Sequence, residues 1–157
     1  MPSSSLHIHF ATMTGNAEAL ATDAHERAEQ EGWSSILHNL ADVSPADLSD
    51  QRLALFVVST WGDGEPPDDA NAFWFALEEA ALDLRGLHYA VFGLGDIDYP
   101  EFNAFGRNLD DRLTALGATR LLPRVEAGLD FDTPYLPWAD QVFAQLATLR
   151  EGAVVNG

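Results

Sequence analysis

The spacing of hydrophobic positions changes several times along this chain, and each change marks an element. Leu6, Ile8 and Phe10 alternate with polar residues as a short strand does, and the strand is predicted to stop at Ala11. From Ala17 to Glu31 the period becomes helical. Ala17, Leu20, Ala21, Ala24 and Ala28 fall on one face and Glu18, Asp23, Glu26, Arg27 and Glu29 on the other, which predicts an amphipathic helix closed by Gly32. Trp33 to Leu40 reads as a second strand, and residues 41–50, with Pro45 and three aspartates, as a loop holding at most one helical turn. Leu53 to Val58 is apolar throughout, as a central parallel strand buried on both faces would be. Residues 59–69 predict a long loop, because Pro66 and Pro67 forbid an immediate helix. Ala70 to Leu82 is a helical stretch whose stripe of Phe73, Trp74, Leu77, Ala80 and Ala81 reads as core. Leu87 to Gly93 gives a fourth strand and Phe102 to Leu116 a helix turning Phe102, Phe105, Leu109, Leu113 and Leu116 inward, closed by Gly117. Thr119 to Val125 gives a fifth strand and Leu136 to Leu149 a last helix, with residues 1–5 and 151–157 as flexible ends of a single domain 1–157.

Five strands alternating with helices imply an open parallel sheet covered on both faces by right-handed crossovers. The passage from the first strand into the first helix places Thr12, Thr14, Gly15 and Asn16 at a helix N-terminus, where free N–H groups and the positive end of the dipole attract an anion such as phosphate. The plainer alternative is that Thr14 or Asn16 serves only as an N-cap. Neither a Walker Gly-Lys-Ser/Thr nor a Gly-x-Gly-x-x-Gly follows this strand. The chain has no lysine at all, and none of its eight basic residues lies between Met1 and Glu26, so hydroxyls and amides would have to hold a phosphate here.

Composition narrows the function. At 157 residues the chain fits one domain with a real core. No apolar run approaches eighteen residues, and the opening Met-Pro-Ser-Ser-Ser lacks the basic and apolar regions of a signal peptide, so a cytoplasmic location without a membrane span is expected. The absence of cysteine excludes disulfides, thiolate chemistry and cysteine-ligated clusters, leaving an organic cofactor as the source of any redox role. A net charge of −17 argues against nucleic acid and anionic membranes and favours a basic protein partner, although excess acid also serves solubility in a salty cytoplasm. His7 and His9 share a strand face but two ligands make no metal site, and Asp96 and Asp98 read as loop hydrogen bonders, so no metal is expected.

Three segments carry a resemblance. Thr12-Met13-Thr14-Gly15-Asn16-Ala17-Glu18 resembles the phosphate loop of flavodoxins, and its Ala17, where many flavodoxins have Thr or Ser, is similar to the FMN domains of diflavin reductases such as the sulfite reductase flavoprotein. The run from Ser59 through Thr60, Trp61, Gly62, Asp63 and Gly64 to Asp68, and that from Gly93 through Leu94, Gly95 and Asp96 to Tyr99, resemble the two flavin-ring loops. The similarity spans about Leu6 to Leu149 and thins after Pro123. It implies a flavodoxin-like α/β three-layer fold with a five-stranded parallel sheet in the order 2-1-3-4-5, in which the ends of the first, third and fourth strands are neighbours at the topological switch point. It implies FMN as cofactor, with Thr12, Thr14, Gly15, Asn16 and Ala17 on the phosphate and Trp61 and Tyr99 on either side of the isoalloxazine. Thr60, Gly62, Gly95 and Asp96 would line the ring's edge. Met13, Ser59, Asp63, Gly64, Gly93, Leu94, Phe102 and Asn103 complete the implied cofactor-binding set, with no catalytic residue.

Such a protein is a monomeric electron carrier, shuttling single electrons between an NAD(P)H-dependent flavin reductase and an acceptor protein. Whether it stands alone or is a detached FMN domain is left open. No Ser-His-Asp set or paired-carboxylate motif recommends a hydrolase. A receiver-type signalling domain shares the fold but would need an acidic pair where Thr12 and Met13 stand and a lysine after the fifth strand. A flavin-dependent quinone or small-molecule reductase is the remaining rival.

Overall fold

A computed structural model describes residues 5–12, 15–60, 70–95, 104–128 and 130–156, with the backbone alone for 150–156. The chain runs β1 (Ser5–Ala11), α1 (Asn16–Gln30), β2 (Ser34–Asn39), two 3-10 segments (Leu40–Asp42 and Pro45–Asp50), β3 (Leu53–Ser59), α2 (Asn71–Glu79), β4 (His88–Leu94), α3 (Ala104–Ala115), β5 (Thr119–Arg120), β6 (Val125–Ala127) and α4 (Asp132–Asn156). Every strand pairing is parallel, in the order β2-β1-β3-β4-β5, with β6 also on β4.

The strand patterns explain the layers. Leu53 to Val58 are all buried, the environment their unbroken apolarity anticipates. Leu6, Ile8, Phe10, Leu55, Val57 and Phe92 face α1 and α4 in one core cluster. Ala54, Phe56, Val58, Tyr89 and Val91 face α2, α3 and the 3-10 segments in the other. In α1 the residues that bury are Ala17, Leu20, Ala21, Ala24 and Ala28, the face its helical period singles out. The chain leaves α1 and α3 through Gly32 and Gly117, whose φ values of 88° and 104° suit glycine.

Several elements differ from the sequence expectation for identifiable reasons. The fifth strand is split. Arg120 pairs with Tyr89 and Val125 with Phe92, so Ala90 and Val91 of β4 oppose the four residues 121–124, which include a proline unable to donate to a ladder. That excursion lets Arg120 and Arg124 reach the same carboxylate, Asp110 on α3, each at 2.8 Å. Helix α2 stops at Glu79 instead of Leu82, where the Arg112 guanidinium takes the carbonyls of Leu77 and Ala80 at 3.0 and 2.8 Å, and Ala81 is exposed. The loop after β2 holds two 3-10 segments, the second started by a capping box between Ser44 and Asp47. Helix α4 begins at Asp132, ahead of Leu136, with the Asp130 carboxylate accepting from the Thr133 hydroxyl. It runs on to Asn156, so residues 151–156, expected as a frayed tail, continue the helix. Pro137 sits inside it, where it forfeits a single bond near the helix start. The histidines of β1 do lie in the sheet, but in company: His7, His9 and His38 of β2 form a stack of near-parallel rings that continues onto Phe56.

Candidate functional site

The sheet order brings the C-terminal ends of β1, β3 and β4 together. Ala11 is in register with Val58, and Ser59 with Leu94, so Thr12, Thr60 and Gly95 leave three adjacent strands at one edge. Since α1 crosses on one face and α2 and α3 on the other, the chain diverges above and below the sheet between β1 and β3, which makes those strand ends the topological switch point where open parallel sheets take their ligands.

The first wall is the start of α1. Its N-cap is Gly15, at φ 91° and ψ −7°, a left-handed conformation that costs a residue with a Cβ roughly 1–2 kcal/mol. A Cβ placed there would meet nothing within 4 Å, so the requirement is conformational and not steric. The half-buried Thr12 accepts the Gly15 N–H on Oγ1 at 2.8 Å, which pins the turn. The first intrahelical bond runs from the Ala19 N–H to the Gly15 carbonyl at 3.0 Å, so the amides of Asn16, Ala17 and Glu18 precede the ladder and point along the positive end of the helix. Asn16 is exposed at the first helical position. Ala17 turns its methyl into the core and has only its N–H to offer.

The other walls are the ends of β3 and β4. The Thr60 N–H donates to the Leu94 carbonyl at 2.9 Å, extending the β3–β4 ladder by one bond, and the Gly95 N–H donates to Ala127 O at 3.0 Å. Gly93 is buried beneath α3: a Cβ on Gly106 would lie 3.5 Å from the Gly93 Cα, so the helix rests almost directly on the strand. Leu94 is 4% exposed and packs on the α1–α4 side. Gly93 and Leu94 therefore enter the site only through their backbone, whereas Ser59, Thr60 and Gly95 are half-exposed at its rim. Of the remaining expected cofactor contacts, Met13, Thr14, Trp61, Gly62, Asp63, Gly64, Asp96, Tyr99, Phe102 and Asn103 lie outside the described residues.

Behind these walls is a polar cluster that sequence periodicity does not announce. Asp110, 0% exposed, accepts from Arg120 and Arg124 and from the Tyr89 hydroxyl. Burial alone would raise the Asp110 pKa, but Tyr89 and the two guanidiniums outweigh it and hold the carboxyl below its ordinary range, while burial and the adjacent carboxylate push the Tyr89 hydroxyl up. The only sequence signal was two arginines four apart behind a helix. The cluster ties the split fifth strand, and through Ala127 the end of β4 at Gly95, to α3. An open depression of about 450 Å³ lies between α2 and α3, lined by Trp74, Glu78, Asn108, Asp111 and Arg112. Among the described residues no group of three or more His, Asp or Glu is placed to hold a metal ion, and no helix is long and apolar enough to cross a membrane.

Comparison with known proteins gives this geometry a family. The flavodoxin family model matches residues 8–137. The flavoprotein alpha-component of NADPH sulfite reductase from Bacillus subtilis is 38% identical over 138 residues, covering 87% of this chain and 23% of its own length. That from Neisseria meningitidis serogroup C is 38% identical over 153 residues, covering 97% and 25%. The chain thus spans about a quarter of the length of these relatives. Among solved structures, oxidised flavodoxin 1 from Bacillus cereus superposes with a TM-score of 0.77 at 25% identity, covering 90% of this chain and 98% of that one. The flavodoxin of Streptococcus pneumoniae TIGR4 superposes with a TM-score of 0.77 at 27% identity, covering 90% and 99%. On sheet order, matched length and identity alike, the chain belongs to the flavodoxin family of FMN-binding electron-transfer proteins.

Proposed function

We propose that the chain binds FMN at the ends of β1, β3 and β4 and passes electrons between a reductase and an acceptor protein. The observation that carries this reading is the convergence of a helix N-terminus offering early amides with the ends of two adjacent strands. The residues present suit the group. A phosphate dianion matches the positive end of α1, the left-handed Gly15 turns the chain so that the amides of Asn16, Ala17 and Glu18 stand free of the ladder, and such amides hold an anion without a lysine. Thr12, Thr14, Gly15, Asn16 and the Ala17 amide hold the phosphate in this reading. Trp61 and Tyr99 flank the ring, with Thr60, Gly62, Gly95 and Asp96 at its edge. When bound, FMN supplies the redox chemistry, and the protein contributes binding, orientation and the electrostatic setting.

The partners are also part of the proposal. With a net charge of −17, the carrier works as a cytoplasmic monomer and docks on basic surfaces of its donor and acceptor. Identity is higher to the sulfite reductase flavoproteins, at 38%, than to the two stand-alone flavodoxins, at 25–27%, which favours a donor of the NADPH-dependent flavoprotein reductase type. The test is reconstitution of the apoprotein with FMN or FAD, then reduction by NADPH with and without such a reductase. FMN is expected to bind in preference to FAD, because the start of α1 would crowd an attached adenosine, and reduction is expected only with the reductase present. No affinity for FMN would overturn the cofactor, and turnover with NADPH and a quinone alone would make the chain an enzyme.

A further inference from the structure

Thr60 closes β3 and opens the segment 61–69, while Phe105 stands in the first turn of α3, just after the segment 96–103. They are 45 residues apart, yet Thr60 Oγ1 accepts the Phe105 N–H at 3.1 Å. An N–H in the first turn of a helix has no carbonyl of its own helix to bond, and it is ordinarily capped by a Ser, Thr, Asp or Asn immediately before the helix. Here the cap comes from another strand. The same residue's N–H holds the Leu94 carbonyl at 2.9 Å, one position before the second segment departs at Gly95. Thr60 therefore joins the start of one ring loop to both ends of the other, through its main chain at Leu94 and its side chain at Phe105. The Phe105 ring is 1% exposed and packs edge-on against Trp74 with centroids 5.6 Å apart, so the donor is held in place and cannot swing to another acceptor.

We propose that the Thr60 hydroxyl is a positioning residue that couples the two ring loops and thereby sets affinity for the isoalloxazine, independently of the phosphate site. The inference rests on the FMN reading above. Losing this acceptor strands the half-buried Phe105 N–H and removes the tie between the end of β3 and the start of α3, the two ends that flank the ring in this reading.

The test compares FMN with riboflavin, which has the ring without the phosphate. Thr60→Val keeps the shape of the side chain and removes the acceptor. It is expected to raise the Kd of FMN and of riboflavin alike, each by about tenfold, the loss expected of one such bond. Thr60→Ser is expected to restore both. Thr12→Val, at the phosphate turn, is expected to weaken FMN while leaving riboflavin unchanged. A purely structural role for Thr60 would lower the urea midpoint of the apoprotein with both flavin affinities intact, and that result would overturn the coupling. Failure of Thr60→Ser to restore affinity would overturn it as well. A wild-type chain binding neither flavin would overturn the FMN reading and this one with it, whereas a Thr60→Val chain binding both as wild type does would overturn only the coupling.

Discussion

The two faces of the sheet are made from alternate residues of the same strands, and they are held together by different physics. Toward α1 and α4, Leu6, Ile8, Phe10, Leu55 and Val57 meet alanines of α1 and the rings of Trp138 and Phe143. Polar contact there is made by the buried Tyr135 hydroxyl, which bonds Leu20 O and Asp23 at 3.2 and 2.9 Å. Toward α2 and α3 the buried residues include His9, Gln51, Tyr89 and Asp110. The first face is stabilised by apolar area and close approach of small residues, at roughly 25 cal/mol per Å² buried. The second depends on the hydrogen bonds and ion pairs of its buried polar residues, because the low dielectric that strengthens such bonds also makes an orphaned group costly. It is also the face on which the Thr60 and Phe105 tie is made, so the ends of β3 and β4 rest on the more vulnerable layer.

The largest expected effect tests that contrast directly. Asp110→Asn removes the charge that two guanidiniums and a hydroxyl share at a fully buried position. Breaking a buried charge cluster from one side costs about 3–5 kcal/mol. A loss of that size in urea-unfolding free energy, with earlier release of the 119–127 segment in hydrogen exchange, is expected. A loss below about 1 kcal/mol would reduce the cluster to the worth of a surface pair.

Acid is expected to act next, and through the same face. The His9 Nε2 bonds the Gln51 side-chain oxygen at 2.9 Å, which can only accept, so the proton sits on Nε2 and the buried Nδ1 is a bare lone pair. A second proton would find no acceptor. Burial first, and the neighbouring His38 and His7 in lesser measure, depress the His9 pKa to about 3 against the Gln51 bond. His7 and His38 are also lowered, burial leading in each case, while Asp47 pulls His38 back up. Below the ordinary imidazole pKa of 6.5 the unfolded chain takes up protons that the folded chain refuses. Stability present above that pH is therefore lost as pH falls toward 3, with a limiting slope of about 1.4 kcal/mol per pH unit for His9. Unfolding measured between pH 7.5 and 4.5 should show this decline, and His9→Gln should flatten it. An unchanged slope in the variant would place the acid sensitivity elsewhere.

The smallest effect is expected on the apolar side. Arg27 bonds Glu31 at 2.8 Å and Asp140 at 2.7 Å and lies 4.9 Å above the Phe143 ring, bridging α1 and α4 at the surface. Exposed pairs and contacts of this kind contribute about 1 kcal/mol or less. Arg27→Ala should lose no more than that, and less in high salt. A loss matching that of Asp110→Asn would erase the distinction between the faces.

Most of this architecture was legible because it is periodic. The alternation at Leu6, Ile8 and Phe10, the unbroken run Leu53 to Val58 and the alanine stripe of α1 each state a local environment, and a parallel sheet covered on both faces follows from their succession. The passage from β1 into α1 was legible as well, since the alternation stops at Ala11 and the helical period begins at Ala17. What the residues alone left undetermined is not periodic. Nothing around Pro123 announces that the fifth strand divides, because the extra residues are defined only against Tyr89 and Phe92 of β4. Asp110 looks like any acidic residue of an amphipathic helix until Arg120 and Arg124 fold over it. Thr60 looks like a ligand contact until the Phe105 N–H arrives from 45 residues away. Burial of a charge and capping across a sheet are properties of pairs distant in sequence, and only the tertiary structure decides which residues meet.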